Sequence, residues 1–210
     1  MSGLRFITVR DLFAAFPTAH SEIRAKPTDQ ECRAFVTALV AAGAWRDAVG
    51  FCAYLLPRRE AVFWGCQCVR GLTKDGTLAG EPILRTAEAW CAEPEERTRR
   101  AALDAARSGH REWAATWAAF AAAWSGGTWR RNGGPIACAP SQTAQGVRAA
   151  VLVALCGIRA AERGREMTLL IGEAMRLAEG NSAVVYEISS TRATVAKAAA
   201  DLRQSRTRAP

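Results

Sequence analysis

Lysine, histidine and tyrosine are scarce in this 210-residue chain, with three Lys, two His and two Tyr. So few imidazoles leave little material for a histidine-based metal site. Long hydrophobic runs are missing too. The longest are Trp113–Trp124, with 12 residues, and Ala149–Ile158, with 10. A membrane-spanning helix needs about 20 apolar residues, so no insertion into a membrane is expected. The N-terminal text is broken by Arg5, Arg10 and Asp11 and does not read as a signal peptide. The expectation is therefore a cytoplasmic protein. Catalytic signatures are absent as well. There is no G-x-S-x-G, no H-E-x-x-H and no G-x-x-x-x-G-K-S/T. His110-Arg-Glu112 matches only the H-x-E fragment of zinc deaminases, without the P-C-x-x-C that must accompany it. These absences favour a non-enzymatic protein with no cofactor and no metal.

What is abundant is alanine, with 44 residues. Alanine is the strongest helix former, and its excess points to an all-α fold. The formal charge is +8, and 25 of the 28 basic residues are Arg. Half of that excess lies in 191–210, where Arg192, Lys197, Arg203, Arg206 and Arg208 face only Asp201. The chain therefore divides into a nearly balanced body, 1–190, read as a single compact helical domain, and a basic C-terminal segment. The seven cysteines are odd in number. Cys32, Cys52, Cys66, Cys91 and Cys156 fall in apolar helical patterns, so they read as buried, reduced thiols. Cys66-Gln-Cys68 cannot clamp one metal ion from a helix, because its side chains diverge by about 200°.

Punctuation and periodicity predict about eight to ten helices stacked as antiparallel hairpins. Thr8–Asp11 reads as an N-cap and first turn. Thr28-Asp-Gln-Glu31 reads as a capping box. Gly43 should stop the next helix, and Pro57 opens one that is apolar around much of its girth. Trp113, Trp117, Phe120 and Trp124 recur at i, i+4, i+7 and i+11, which predicts a stripe of aromatic knobs on a helix otherwise made of Ala. Residues 125–141 carry the longest loop signal. Ser141 is the expected cap of a helix running to about Glu162 and broken at Gly164. Ala183–Ile188 reads as either a strand or a helix start. Val195, Ala198, Ala199 and Leu202 suggest a last helix.

Two local texts are candidate contact sites for another protein. Arg58 and Arg59, with Glu60, sit at a helix N-terminus, where their positive charge opposes the helix dipole. They need partners, either an acidic neighbour within the chain or a bound protein. Trp129-Arg130-Arg131-Asn132 lies in the long loop. An aromatic residue flanked by guanidinium groups suits a protein interface, unless Trp129 simply tucks onto the domain. The alternative partner is nucleic acid, held by Arg192, Lys197, Arg203, Arg206 and Arg208. The solvated end of a helix is the plainer account of that segment.

Three stretches together resemble a family of uncharacterised bacterial all-helical proteins. They are Leu55-Leu-Pro-Arg-Arg-Glu-Ala-Val-Phe-Trp-Gly-Cys66, Ala87-Glu-Ala-Trp90 and Trp117-Ala-Ala-Phe-Ala-Ala-Ala-Trp-Ser-Gly-Gly127. The resemblance covers about residues 28–180. Such proteins are associated with type VI secretion gene clusters. The resemblance thus implies an adaptor, chaperone or regulator rather than a catalyst. Trp129-Arg130-Arg131 departs from the Pro-rich text expected after Gly127.

Overall fold

The computed structural model describes residues 4–73, 78–131 and 134–180. Among them are ten helices and one β-hairpin. The helices are α1 (Val9–Ala15), α2 (Ala19–Glu22), α3 (Cys32–Ala41), α4 (Trp45–Leu55), α5 (Arg58–Leu72), α6 (Glu81–Ala92), α7 (Glu96–Ser108) and α8 (Ala114–Ala123). After the strands β1 (Thr128–Arg131) and β2 (Gly134–Ala137) come α9 (Gln142–Cys156) and α10 (Ala160–Ala178). The all-α expectation holds. Short connections lay α3 on α4, α5 on α6, α6 on α7 and α7 on α8, as stacked helical hairpins require. One apolar cluster runs from Val9 in α1 to Ala178 in α10.

The centre of the stack is α9, which packs on α4, α5 and α8. Three successive residues, about 100° apart around the helix, each meet a different neighbour. A Cβ on Gly146 would lie 2.9 Å from the Ala121 backbone of α8. Val147 lies against Gly65 of α5, where an added Cβ would be 3.2 Å from its methyl group. Arg148 covers Gly50 of α4 in the same way, at 3.4 Å. Two of these contacts set a glycine of the neighbouring helix against a side chain of α9, and the third sets a glycine of α9 against a main chain. Helix axes normally lie about 8–10 Å apart, depending on the side chains between them. Glycine and alanine at these crossings leave no side chain beyond a methyl group between the facing surfaces of α8 and α9.

The alanines of α8 are the inward residues. Ala115, Ala118, Ala119, Ala121, Ala122 and Ala123 are buried, whereas Trp117, Phe120 and Trp124 are only half-buried. The alanines thus form the close-packing side that the expected combination of aromatic knobs and alanine allows, and the aromatic stripe is the less buried side. The helix touches α5, α6, α7 and α9, and only methyl-sized side chains let four neighbours approach it. The aromatic residues line the remaining face, with Phe120 stacked on Trp124 at 4.9 Å.

Four local expectations need correction. The Thr28–Glu31 box does not form, because α3 starts at Cys32 and Glu31 makes no side-chain cap bond. That segment is recruited instead as a partner for the α1 entrance. Val9 N donates to Gln30 O, and Arg10 N donates to Thr28 O. The N-cap expected at Thr8 does form, and it closes as a capping box with Asp11, whose N donates to Thr8 Oγ1 at 3.2 Å. The long helix breaks at Gly157 rather than Gly164, because α10 begins at Ala160 and carries Gly164 within it. Residues 125–141 hold a paired hairpin rather than a loop. Finally, Cys156 is exposed, while Cys32, Cys52, Cys66, Cys68 and Cys91 are buried.

Large side chains fill the layers around α5. Trp64 is buried and donates its indole N–H to Leu170 O at 2.8 Å, tying α5 to α10. Arg70 on α5 holds Glu81 and Glu88 on α6, at 3.1 and 2.5 Å.

The α8–α9 approach leads to a paired prediction. Gly146→Ala should destabilise the fold by about 1–3 kcal/mol, the usual cost of overpacking. Gly172→Ala, whose Cβ would meet nothing nearer than Arg176 Nη1 at 3.7 Å, should stabilise by about 0.5–1 kcal/mol through backbone entropy. Urea unfolding of both variants tests this, and equal midpoints would refute the close-crossing account.

Candidate functional site

Arg58 and the hairpin that carries Trp129, Arg130 and Arg131 lie where α8 ends and α9 begins, whereas Arg59 lies at the end of α6. The last carbonyls of any helix lack intrahelical donors and carry negative partial charge. Arginine side chains supply the missing donors here. Arg59 Nε donates to Cys91 O at 2.6 Å, and its Nη2 donates to Ala92 O at 3.3 Å, which caps α6. Arg58 Nη1 donates to Ser125 O at 2.6 Å, just past α8. Arg99 Nη1 donates to Ala123 O at 2.7 Å.

Arg58 and Arg59 therefore find the partners that their position at the α5 N-terminus demands. Those partners are main-chain carbonyls at the C-terminal ends of other helices, not the acidic neighbour expected for a salt bridge. Glu60 sits half-buried in the first turn of α5, where a carboxylate is favourable.

Arg99 is not marked out by the sequence, because residues 95–107 are mostly charged and a mostly charged helix is expected at the periphery. It is only 5% exposed. Its guanidinium pairs with Glu96, through Nε at 2.7 Å and Nη2 at 2.8 Å. A Cβ on Gly127 would lie 2.9 Å from Arg99 Nη2, so the chain passes directly over the charged group. Glycine also suits Gly127 because its φ is +67°. The available signal was the Glu96-x-x-Arg99-Arg100 spacing, an i,i+3 and i,i+4 pattern, but that pattern does not say which arginine is buried.

Beyond Gly127 the hairpin opens. Its register sets Thr128 against Ala137, Trp129 against Ile136, Arg130 against Pro135 and Arg131 against Gly134. Cys138 N donates to Gly127 O at 3.1 Å and extends the ladder at its base. Pro135, Ile136 and Ala137 are exposed, and Ile136 is 43% exposed. Burial pushes the Cys138 thiol up, against the opposing pull of Arg99 and Arg58. The structure thus places Arg58 at the stem of the hairpin that carries Trp129, Arg130 and Arg131. Arg59 faces α6 instead. Asn132 lies outside the described residues, as do Arg192, Lys197, Arg203, Arg206 and Arg208, and so do the segments read at Ala183–Ile188 and Val195–Leu202.

A second opening lies at the foot of the same hairpin. Arg5, Tyr54 and Arg58 line it with Pro140, Thr143 and Ala144. It is a shallow, half-open cleft of about 10 Å³, about the space of one water molecule. Burial, with the Glu22 carboxylate adding to it and a hydrogen bond with Thr18 opposing it, pushes the Tyr54 hydroxyl up to about 12. Among the described residues, no three His, Cys, Asp or Glu side chains converge as metal ligands. No helix among them is long and apolar enough to cross a membrane.

Residues 35–178 match a family of unknown function, DUF6931. The chain belongs to that family. The matched span runs from Phe35 in α3 to Ala178 at the end of α10, so it includes α5, the hairpin and the α9 hub. No curated protein and no solved structure gives a significant match.

The Glu96–Arg99 pair sets a pH dependence. Hydrogen bonds from Arg99 and Arg100 hold the Glu96 carboxyl at about 2, below its ordinary 4.5. A lowered folded-state value adds stability above the unfolded value and loses it as pH falls toward the folded value. The contribution should fade between pH 4.5 and 2. Salt should also weaken it, because Glu96 is half-exposed. In Glu96→Gln, the fall in thermal midpoint across that window should be shallower than in the parent protein. Identical slopes would show that the pair does not matter.

Proposed function

We propose that this protein is a non-enzymatic protein–protein interaction module. We further propose that it serves as an adaptor, chaperone or regulator accessory to a bacterial secretion system of the type VI kind. The observation that carries this reading is the α8–α9 hairpin. Its β2 strand is exposed, and its register sets Trp129 opposite the exposed Ile136. Among the described residues the sheet has only two strands, so each strand has one edge that pairs with no other described strand. A free edge offers N–H and C=O groups to a strand of another chain. Trp129 would be the aromatic anchor. Arg130 and Arg131 would supply hydrogen bonds at its rim.

Arg58 and Arg99 support the reading in a second way. They fix the α8 end of the hairpin to the helical body. A binding element whose stem is already held loses less conformational entropy on docking.

The test is quantitative capture from the native host, read by mass spectrometry. Trp129→Ala/Arg130→Ala and, separately, Ile136→Ser should each lower recovery of the specific partners about tenfold or more, as expected for interface anchors. Equal recovery by all three baits would overturn the hairpin reading. Truncation after Ser190 should leave capture unchanged. If truncation alone abolished an interaction, and DNA or RNA binding fell steeply with salt, the basic segment would be the contact site instead.

A further inference from the structure

Residues 18–25 lie along the seam between α4 and α9, and the seam holds them largely by their main chain. Ile23 is 3% exposed and sits on Gly50 of α4, where an added Cβ would be 3.2 Å from its Cγ1. Arg148 of α9 flanks the same glycine, with its Cδ at 3.4 Å from that point. The chain leaves α2 in extended geometry at Ile23 (φ −112°, ψ 117°). Its next amides therefore need acceptors from elsewhere. Asp47, in the first turn of α4, supplies them. Its Oδ1 accepts from Arg24 N at 3.2 Å, and its Oδ2 accepts from Ala25 N at 3.0 Å. Arg148 Nη2 donates to Glu22 O at 3.3 Å.

Side chains of the segment are read as well. Gln145 Nε2 donates to Glu22 Oε1 at 2.8 Å. The Tyr54 hydroxyl shares a hydrogen bond with Thr18 Oγ1 at 3.3 Å. Main-chain bonds for affinity and side-chain seats for specificity are how proteins bind peptides. The fit is incomplete. Glu22 Oε2 and Arg148 Nε are buried without a hydrogen-bond partner, and each such atom costs stability. The helix α2 has only four residues, and its N-cap Thr18 makes no side-chain cap bond. A helix that short adds little stability of its own. Residues 18–25 also precede the family-matched span, whereas Asp47, Gly50, Tyr54, Gln145 and Arg148 fall within it.

We infer that the α4–α9 seam is a peptide-docking groove, filled in cis by residues 18–25, which act as an autoinhibitory strap. The partner is a segment of another protein with the strap's chemistry, a carboxylate residue directly followed by an aliphatic one. Its carboxylate would accept from Gln145, and its aliphatic side chain would lie on Gly50. Its next two amides would donate to Asp47. The tethered strap competes at an effective concentration of about millimolar, so the closed protein binds such a segment weakly. The groove is separate from the hairpin contact, and the two can fail separately.

The probe is a fluorescently labelled peptide with the sequence of residues 16–27, added to the full chain. Glu22→Gln/Ile23→Ala in the chain loosens the strap. The peptide should bind this variant at least about tenfold more tightly than the parent protein, because more of the variant is open. Fluorescence anisotropy reads the difference. A peptide carrying Ile23→Ser should not bind. Adding Asp47→Asn to the loosened chain should weaken binding about tenfold, the scale of one hydrogen bond to a charged group. If the loosened chain does not fold, hydrogen exchange in the parent protein decides. Excess peptide should then speed exchange at the chain's own Arg24 and Ala25 amides and leave α5 unchanged. The proposal is overturned if the folded variant shows no saturable binding, or binds the Ile23→Ser peptide equally well. Where the variant does not fold, unchanged exchange in the parent protein overturns it.

Discussion

Everything in this fold hangs on how closely α9 approaches its neighbours. Gly146, Val147 and Arg148 commit three adjacent faces of one helix to α8, α5 and α4. A rotation of α9 that improved one contact would spoil the other two. Most apolar side chains tolerate small shifts at modest cost. A glycine set against a backbone does not, because any Cβ must displace main chain rather than a flexible side chain. The position of α9 is therefore fixed by sterics as much as by burial. The alanine face of α8 follows from the same constraint, because a larger residue at Ala121 would move the helix that the other contacts hold.

Tight packing of this kind moves polar chemistry to the helix ends. The sides of the central helices are closed by methyl groups, leaving little room for charged side chains. At their ends, carbonyls and amides need partners. The chain meets that need with arginine. Arg59 serves α6, and Arg58 and Arg99 serve the end of α8. A guanidinium has five donors in a fixed plane, so it can bridge two elements where a lysine would serve as a point charge. This use of arginine fits a chain with 25 Arg and three Lys. Many of the arginines hold the body together, and the net charge alone is a poor guide to partners.

The helical class was legible from alanine content and from Pro and Gly punctuation. Pro57, Gly43 and the Thr8–Asp11 box all mark real boundaries. What the sequence hid was which face turns inward. Periodicity places Trp117, Phe120 and Trp124 on one stripe, but it cannot say whether the stripe or its complement is buried. Hydrophobicity favours the aromatics, and the number of neighbouring helices favours the alanines. Residues 125–141 were misread for a related reason. Their glycines and prolines signal irregular chain, and a two-stranded ladder there depends on the pairing of Trp129 with Ile136, which no local pattern displays. Arg5 was equally hidden. It reads as an isolated charge near the start, and only the fold brings it beside Thr143.

The hairpin and the α9 end share one origin. A link from the end of α8 to the start of α9 must span two helices already locked at Ala121 and Gly146. The chain leaves α8 under Arg58 and Arg99, pairs with itself as β1 and β2, and returns through Pro140 to α9. Pro140 lacks an N–H, and Ser141 has adopted helical geometry, which takes its side chain away from the N-cap role. The geometry that lets the hairpin close is thus the geometry that leaves the Thr143 and Ala144 amides without a cap. Arg58 touches both consequences, through Ser125 O on one side and the cleft on the other. The physical link between the hairpin stem and the cleft at the start of α9 is therefore one guanidinium.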